Sequence, residues 1–574
     1  MSRFIVLLLA VLLTVPAIPA TKAFAAPTVE ELQAQIADIM DELDDLNDRL
    51  AKPERHSAMD RISFTGNLRN TVDSLHYSDV TFNPGVNVDF DDFAAKVMGG
   101  EFGSMADPNS PVSQMMAANP GLAAAFMAGQ LSGVGAMPMS AGPRTTDINN
   151  DMMYTTRLRL GMKADVSKNM NFAGQLLMYK NWGDSAGSKV FDSWDAFSMD
   201  GTSGGKTSGD WLHVDRAFFN WKHIGGSDFY LSIGRRPSTY GVPSNYRVNE
   251  MRGGTPSGHL VDFNFDGLTI GYHLDKLTGI EGQAFRICYG QGFEAEWGNG
   301  TLFNDNITAN LDDTVLGGFN IDLFNDGQTF VQMTLFRAQD VVDGFKGVFA
   351  FPAQYATLFA PNMNKDMQKF PNMNFNVRYT PSTVIGDINL AQLGFSREED
   401  NGFVWFATVG WTQLDANGDA GMFGGMGNDA VYTAQLSADG SEIIMMPDRA
   451  ENSDSNNGYG VYVGIRVPAP MGKFGLEYNY GSKYWTPFTQ DQDDLIGAKL
   501  STRGHVGEIY YIFDLNPHAF IKIGGLYYDY EYTGSGSPVG KPQKIDDIES
   551  GTAFSLMPVV DKAWDAYAKI TMQF

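Results

Sequence analysis

The sequence predicts an all-β fold, a transmembrane antiparallel β-barrel of sixteen strands with eighteen as the alternative, preceded by a short α-helical coiled coil. Apolar and polar side chains alternate through many segments of the 574-residue chain, as in strands with one oily and one wet face. Glycine and aromatic residues are abundant, with 63 Gly, 39 Phe, 23 Tyr and 9 Trp. The mean hydropathy of -0.20 is too polar for a helical membrane protein, whereas half of each barrel strand faces water.

Residues 1–25 have the pattern of a secretory signal peptide. Arg3 precedes an apolar run from Phe4 to Val15, and Ala23 and Ala25 form a small-residue cleavage site. The apolar run is too short to cross a bilayer as a helix. We therefore expect an exported protein whose mature chain carries no transmembrane helix.

Residues 26–53 predict a helix that forms a periplasmic coiled coil. Thr28 and Glu31 form a capping box at its start, and Pro53 ends it. Apolar residues recur at spacings of three and four, which is the pattern of a seam that packs against another helix. The seam consists of Val29, Leu32, Ile36, Ile39, Leu43, Leu46 and Leu50. We expect it to join subunits, with a homotrimer favoured; the alternative is a single amphipathic helix packed on the barrel.

Residues 61–574 predict the barrel itself, because candidate strands with alternating polarity follow one another along this region. An antiparallel barrel with both chain ends on one side needs an even number of strands, so one of the seventeen candidates must be wrong. We expect the first and last strands to pair, because an open sheet edge in lipid leaves backbone groups without partners. The candidates are 61–69, 154–163, 169–181, 211–223, 228–236, 266–275, 281–290, 313–324, 328–338, 372–380, 386–397, 402–414, 458–467, 472–481, 500–513, 518–531 and 564–574.

The last candidate strand, 564–574, ends on Phe574 with Ala568, Ile570 and Met572 at every second position before it. In this respect the chain resembles bacterial outer-membrane porins, and in particular uncharacterised porins with an N-terminal periplasmic coiled coil. The resemblance implies passive diffusion of small hydrophilic solutes or ions across the outer membrane of a Gram-negative bacterium. It also implies outer-membrane lipid as the surroundings, and an assembly signal at Ile570, Met572 and Phe574 that the barrel assembly machinery reads.

The segment 237–265 occupies the place of the third external loop of trimeric porins, which folds into the barrel and narrows it. By this resemblance we expect a pore constriction with charges of both signs, which set the field across a narrow lumen. The alternative is a loop that lies over the barrel mouth as solvated surface. The expected constriction residues are Arg235, Arg236, Arg247, Glu250, Arg252, Asp262 and Asp266.

Strand parity predicts a basic pore wall, because a charged side chain facing the bilayer midplane would cost roughly 2–4 kcal/mol. The alternates of these residues, such as Leu158 and Leu160, suit lipid. A positive wall lowers the barrier to anions, so we expect a weak preference for anions. Acidic residues on other strands, including Glu477 and Glu508, weaken that expectation. The predicted wall residues are Arg61, Arg69, Arg157, Arg159 and Lys163.

Residues 71–150 are interpreted as a long first external insertion, rich in Met, Ala and Gly. Its methionines suit Cu(I), but methionine also fills irregular apolar gaps, and we favour an insert packed in the barrel or against a neighbouring subunit. The segment 415–421 resembles a calcium loop through Asp415, Asn417 and Asp419, yet its glycine is misplaced and the bidentate Glu is missing. We therefore predict no metal site.

We predict a channel and not an enzyme, with no catalytic residue and no cofactor, because the common hydrolase and nucleotide-binding motifs are missing from the sequence. Cys288 is the single cysteine, and the net charge of -26 argues against nucleic acid as a partner. Two alternatives remain. One is a structural barrel that sheathes a partner such as an electron-transfer cytochrome. The other is a membrane-embedded hydrolase, which would require a Ser–His pair facing one another on adjacent strands; spacing identifies none.

Overall fold

The computed structural model describes most of the chain beyond residue 61. The described residues are 62–83, 85–140, 142–183, 212–294, 311–343, 345–349, 375–379, 382–437, 439–489, 493–555 and 558–574. The predicted signal peptide, the predicted coiled coil with its seven seam residues, and Arg61 lie outside this part of the chain.

Strands dominate the described chain. In order they are β1 (Ile62–Phe82), β2 (Gly85–Asp89), β3 (Ala136–Ser140), β4 (Arg144–Ser167), β5 (Met170–Asn181), β6 (Leu212–Lys222), β7 (Phe229–Arg236), β8 (Phe265–His273), β9 (Ala284–Phe293), β10 (Thr314–Asn325), β11 (Thr329–Val342), β12 (Phe345–Phe349), β13 (Phe375–Tyr379), β14 (Val384–Glu398), β15 (Val404–Ala416), β16 (Ala430–Leu436), β17 (Ile443–Ala450), β18 (Asn456–Ala469), β19 (Gly472–Gly481), β20 (Gly504–Asn516), β21 (Ala519–Tyr530) and β22 (Lys562–Gln573).

The helices are short. They are α1 (Phe90–Met98), α2 (Pro111–Ala118), α3 (Pro120–Met127), α4 (Ser244–Val248), α5 (Asp275–Thr278) and α6 (Ile545–Glu549), with 3₁₀ turns at Ile224–Gly226 and Lys499–Ser501. No helix within the described residues combines the length and the apolar character needed to cross a membrane.

Sixteen strands form a closed antiparallel barrel: β1, β4 to β11, β14, β15 and β18 to β22. The predicted strand number and the predicted pairing of the first and last strands are therefore confirmed. Leu68 of β1 lies opposite Met572 of β22. The seam ends at Gly66 and Phe574, where each backbone N–H donates to the other residue's carbonyl oxygen, at 2.8 and 3.0 Å. Closure leaves no sheet edge exposed to lipid.

The surplus candidate is 372–380, which is not a barrel strand. Its described part, Phe375–Tyr379, pairs with Phe345–Phe349 in a separate two-stranded sheet between β11 and β14 in the chain. A five-residue strand alternates in the same way as a longer one, but it is too short to cross the hydrocarbon layer. Alternation alone therefore could not separate it from the barrel strands.

Side chains alternate between the outside and the lumen of the barrel, as β22 shows. Trp564, Ala566 and Ala568 are exposed on the outer surface, whereas Asp565 and Tyr567 between them are buried. The same division places Leu160 and Met162 of β4 outside and Arg157 and Arg159 inside. The lumen is therefore polar and the outer wall apolar, which suits a barrel surrounded by lipid.

The two ends of the barrel differ in the length of their connections. Both chain ends of the barrel and the short turns, such as 326–328 and 517–518, lie at one end. The connections at the other end are long. They comprise residues 83–143, 182–211, 237–264, 294–313, 343–383, 417–455, 482–503 and 531–561. Short periplasmic turns and long external loops are the usual arrangement in outer-membrane barrels.

The first external insertion is residues 83–143, shorter than the predicted 71–150, because β1 continues to Phe82 and β4 begins at Arg144. Its strands β2 and β3 join β16 and β17, from the loop 417–455, in a four-stranded external sheet. Helices α1 and α2 supply Phe93 and Val112 to the buried core of this unit. The described part of the insertion therefore packs with another external loop.

A charged side chain on the outward face of β22 should destabilise the barrel. We expect Ala568→Arg to destabilise the barrel by about 2–4 kcal/mol, because Ala568 faces outward near the middle of the apolar belt. The matched control is Lys569→Arg, one residue further along, which keeps the charge on the lumen side. The measurement is unfolding in urea of protein inserted in lipid vesicles. Equal stability of the two variants would contradict the assignment of the outward and inward faces.

Candidate functional site

A first inward loop, residues 237–264 between β7 and β8, lies inside the barrel. Most of its residues are buried, including Tyr240, Arg247 and His259. Asn264 at its end donates to the carboxylate of Asp215 on β6, at 2.8 Å. Buried polar groups of a loop need partners, and the lumen wall provides them.

Glu250, near the tip of this loop, binds one side of the lumen wall. Its carboxylate accepts hydrogen bonds from Arg159 at 2.8 Å, Arg157 at 3.1 Å and Asn67 at 3.3 Å. Asn67 lies one residue beyond the closing pair at Gly66 and Phe574, at the end of the barrel that carries the short turns. The loop tip therefore reaches deep into the barrel.

Other residues near the tip bind strands elsewhere on the barrel wall. Arg247 donates to Glu508 of β20 at 2.6 Å. Arg252 lies 3.8 Å from the carboxylate of Asp322 on β10, with its guanidinium over the ring of Phe330. The first inward loop therefore crosses the lumen, and its charged residues are held on several sides at once.

A second inward loop, residues 482–503 between β19 and β20 and described except for 490–492, also enters the lumen. The backbone N–H of Phe488 donates to Leu260 of the first inward loop, at 2.9 Å. The ring of Trp485 lies against His259, with centroids 5.2 Å apart. The sequence did not predict this loop, although the apolar residues Trp485, Phe488, Leu495 and Leu500 in a connection between strands were a signal.

Trp485 is fully buried on a wall of glycines. A Cβ atom added at Gly410, Gly460 or Gly481 would lie 2.3, 2.4 or 2.5 Å from the indole ring. The indole N–H donates to the carbonyl oxygen of Leu500, at 2.8 Å. Glycine at these wall positions leaves the space that the tryptophan fills, so the wall and the second inward loop are complementary.

The two inward loops meet the wall at the carboxylate of Glu508. This group accepts hydrogen bonds from Arg247, from Lys499 of the second inward loop at 2.7 Å, from Lys522 at 3.0 Å and from Tyr567 at 2.6 Å. Lys499 also bonds Glu477, and Arg247 also bonds Asp494. We call these residues the Glu508 cluster. Charges buried in this way need paired partners, which the cluster supplies.

Asp493, in the second inward loop, is another acidic residue that binds the barrel wall. It bonds Arg157 at 2.7 Å and Arg69 at 2.9 Å, both on the predicted pore wall. Arg69 also donates to the hydroxyl of Tyr179, at 2.8 Å. The three predicted wall arginines within the described residues, Arg69, Arg157 and Arg159, are therefore brought together, and each bonds an acidic residue of an inward loop.

Between the loop tip and the wall lies a small space. Cationic side chains outnumber acidic ones around it. The charged lining residues are Arg69, Arg157, Arg247, Lys522 and Lys569, with Glu250 and Asp493. Lys569 has no acidic partner within ion-pair distance in the described part of the chain; its ammonium lies 4.2 Å from the centre of the Tyr567 ring. The lining is thus basic in spite of the net negative charge of the chain.

The remaining predicted residues are separated from this site. Arg235 and Asp266 have the outward parity of their strands and bond each other at 3.0 Å, so the expectation that they face the constriction is corrected. Arg236 has the opposite parity and donates to Ser232 and Thr269. Asp262 accepts from the backbone N–H of Tyr240. Lys163 has the inward parity of Arg157 but is exposed near the turn after β4.

Comparison with known families identifies the chain. The sequence model of a family described as "Protein of unknown function (DUF3373)" matches residues 147–574. The chain belongs to the DUF3373 family. The matched part of this DUF3373 protein contains both inward loops and the Glu508 cluster, and begins within β4. No curated protein matches the chain.

Solved structures similar to this DUF3373 protein include OprB of Pseudomonas putida at high pH, with a TM-score of 0.39 and 10% identity over 91% of this chain and 96% of that chain. OmpF of Salmonella typhi in complex with daunomycin has a TM-score of 0.37 and 10% identity over 89% and 97%. OmpT of Vibrio cholerae expressed in the outer membrane has a TM-score of 0.35 and 11% identity over 89% and 97%. The barrel assignment rests on strand pairing.

The glycine wall under Trp485 gives a direct test of the second inward loop. We expect Gly460→Leu to displace Trp485 and make the loop sensitive to protease in the folded barrel, because the new side chain occupies the space of the indole ring. The control is Gly507→Leu on β20, where an added Cβ meets no atom within 4 Å. Equal protection in both variants would show that Trp485 does not lie on this wall.

Proposed function

We propose that this protein is an outer-membrane porin that allows passive diffusion of small hydrophilic solutes and ions, with a weak preference for anions. The observation that supports this most is the basic space between the tip of the first inward loop and the barrel wall. Both inward loops occupy the lumen, so the proposed path is narrow and follows this side of the wall.

The anion preference follows from the groups that line the space. Five cationic and two acidic side chains surround it. The acidic pair is engaged by the arginines of β1 and β4, whereas Lys569 lacks an acidic partner among the described residues. An excess of cationic side chains along a narrow passage lowers the barrier to anions.

The outer wall supports the membrane location. Apolar side chains face outward around the barrel, for example Ile287, Val409, Ile509 and Ile523. A surface of this kind is suited to lipid. We further propose that Ile570, Met572 and Phe574 act as the signal for the assembly machinery, and that the predicted coiled coil holds a homotrimer together.

The sheath alternative fits this lumen less well. A barrel that surrounds a partner protein needs an open interior, but here the first inward loop binds β1 and β4 on one side through Glu250 and β20 on another through Arg247. Two loops of the chain itself therefore occupy the place that a cytochrome would need.

The charge preference can be tested at Lys569. We expect wild-type protein in planar bilayers to form channels that favour chloride over potassium under a salt gradient. Lys569→Gln should move the reversal potential toward cation preference, because it removes a lining cation that forms no ion pair among the described residues.

The control for this experiment is Lys276→Gln in the turn after β8, where the ammonium is exposed and pairs with Asp228. It should leave the reversal potential unchanged. A wild-type barrel that inserts but never conducts would contradict the porin proposal, and an unchanged potential in Lys569→Gln would contradict the proposed path.

A further inference from the structure

Three polar side chains form a hydrogen-bonded chain on the outside of the barrel. The Ser74 hydroxyl oxygen, Oγ, lies 2.9 Å from Nε2 of His76. The other ring nitrogen of His76, Nδ1, lies 2.7 Å from Oδ1 of Asn149 on β4. Ser74 and His76 are two residues apart on β1, so they share one face of the strand. The three residues stand apart from the channel site.

The order of these groups is that of a nucleophile, a base and a residue that orients the base. An amide oxygen can only accept, so the tautomer that carries hydrogen on Nδ1 satisfies the bond to Asn149. Nε2 is then free to accept the proton of the Ser74 hydroxyl. Activated serines share this arrangement across unrelated folds, and asparagine is the third member in the related cysteine–histidine sites.

The face of the His76 imidazole also contacts an aromatic ring. The ring of His76 stacks on that of Trp564, with centroids 3.8 Å apart and an interplanar angle of 12°. Trp564 lies directly opposite His76 in the β1–β22 pair. Stacking and the bond to Asn149 together fix the position and rotation of the base.

The cluster faces lipid, not the lumen. The neighbours with the other parity, Asp73, Leu75 and Tyr77, are buried inside the barrel. Ser74 lies eight residues along β1 from Gly66, which is level with Phe574 at the end that carries the short turns. At about 3.3 Å per residue and a tilt near 40°, this distance corresponds to roughly 20 Å along the barrel axis. The cluster therefore lies near the external boundary of the apolar belt, about 25 Å tall in such barrels.

We propose that Ser74, His76 and Asn149 form a lipid-facing esterase site whose substrates are fatty-acyl esters of membrane lipids. At the external boundary of the belt, the ester groups of lipids and interfacial water both reach the barrel wall. The site is a second activity on the outer wall and does not depend on the channel.

The reaction would proceed by acyl transfer. Ser74 Oγ attacks the ester carbonyl carbon while His76 Nε2 takes the hydroxyl proton, and His76 returns this proton to the departing alcohol oxygen. The products are an acyl-serine and a lipid lacking one acyl chain. Water then attacks the acyl-serine as His76 removes its proton, which releases the fatty acid and restores Ser74. Asn149 is a positioning residue, because it acts through His76.

The sequence signal was Ser-x-His within one strand. The hydrolase alternative assumed a Ser–His pair across adjacent strands, so this pair was missed. The third residue, Asn149, comes from β4. No recognisable sequence motif marks it.

The direct test is covalent labelling of full-length protein folded into phosphatidylethanolamine vesicles with an alkyl fluorophosphonate. We expect the label on Ser74, identified by mass spectrometry of the modified peptide. Ser74→Ala should abolish labelling, and His76→Gln should slow it by at least about 100-fold. The control Ser78→Ala, on the same face of β1, should label as the wild type does.

Fatty-acid release separates the two sources of acyl ester, with phosphatidylethanolamine vesicles in one arm and lipopolysaccharide in the other. Asn149→Ala should lower kcat more than it raises KM, and Asn149→Asp should restore kcat with an altered pH profile, because a carboxylate accepts the same bond. A merely structural residue would not show this rescue.

The proposal is overturned if wild-type protein remains unlabelled at Ser74 while its heat-modifiable gel mobility shows a folded barrel. It is also overturned if labelling survives in His76→Gln at the wild-type rate. In either case the three side chains would be a polar cluster at the membrane boundary. Channel conductance is measured separately, so failure of the porin proposal would leave these outcomes unaffected.

Discussion

The carboxylate of Glu508 is the point on which the interior of this barrel depends. It is almost completely buried, and a lone buried carboxylate would be strongly unfavourable. Its partners come from separate parts of the chain: Arg247 from the first inward loop, Lys499 from the second, and Lys522 and Tyr567 from the wall. Removing one partner from such a group costs about 3–5 kcal/mol, because the remaining charges stay buried. The two loops and the wall are thus held in one arrangement.

This arrangement also determines where charge remains unbalanced. Within the Glu508 cluster, the acidic groups Glu477, Glu508 and Asp494 face Arg247, Lys499 and Lys522. Beside this cluster, along β1 and β4, Glu250 and Asp493 face three wall arginines and are close to Lys569. The excess of positive charge lies where the described chain leaves open space. The same ion pairs that fix the loops therefore leave a small space with a basic lining beside them.

Alternation predicted the barrel well because it is a local property that the bilayer imposes on every strand. It predicted that Arg157 and Arg159 face inward, because a charged side chain is costly in lipid, whereas Leu158 and Leu160 between and beside them suit lipid. The resemblance to the third porin loop misplaced Arg235 and Asp266, which have outward parity at strand ends and pair with each other. The second inward loop was not predictable in this way, since Trp485 is held by glycines from three different strands. The site formed by Ser74, His76 and Asn149 likewise depends on the approach of β4 to β1, which the sequence does not show.

The claim that both long loops fold into the lumen can be tested most directly by hydrogen–deuterium exchange of the folded barrel in lipid. The backbone N–H of Tyr240 donates to Asp262, and that of Phe488 donates to Leu260, both inside the barrel. We predict that these amides exchange as slowly as those of the barrel strands. Exchange as fast as that of the exposed turn 274–283 would contradict this claim, because it would show that the loops lie outside the lumen.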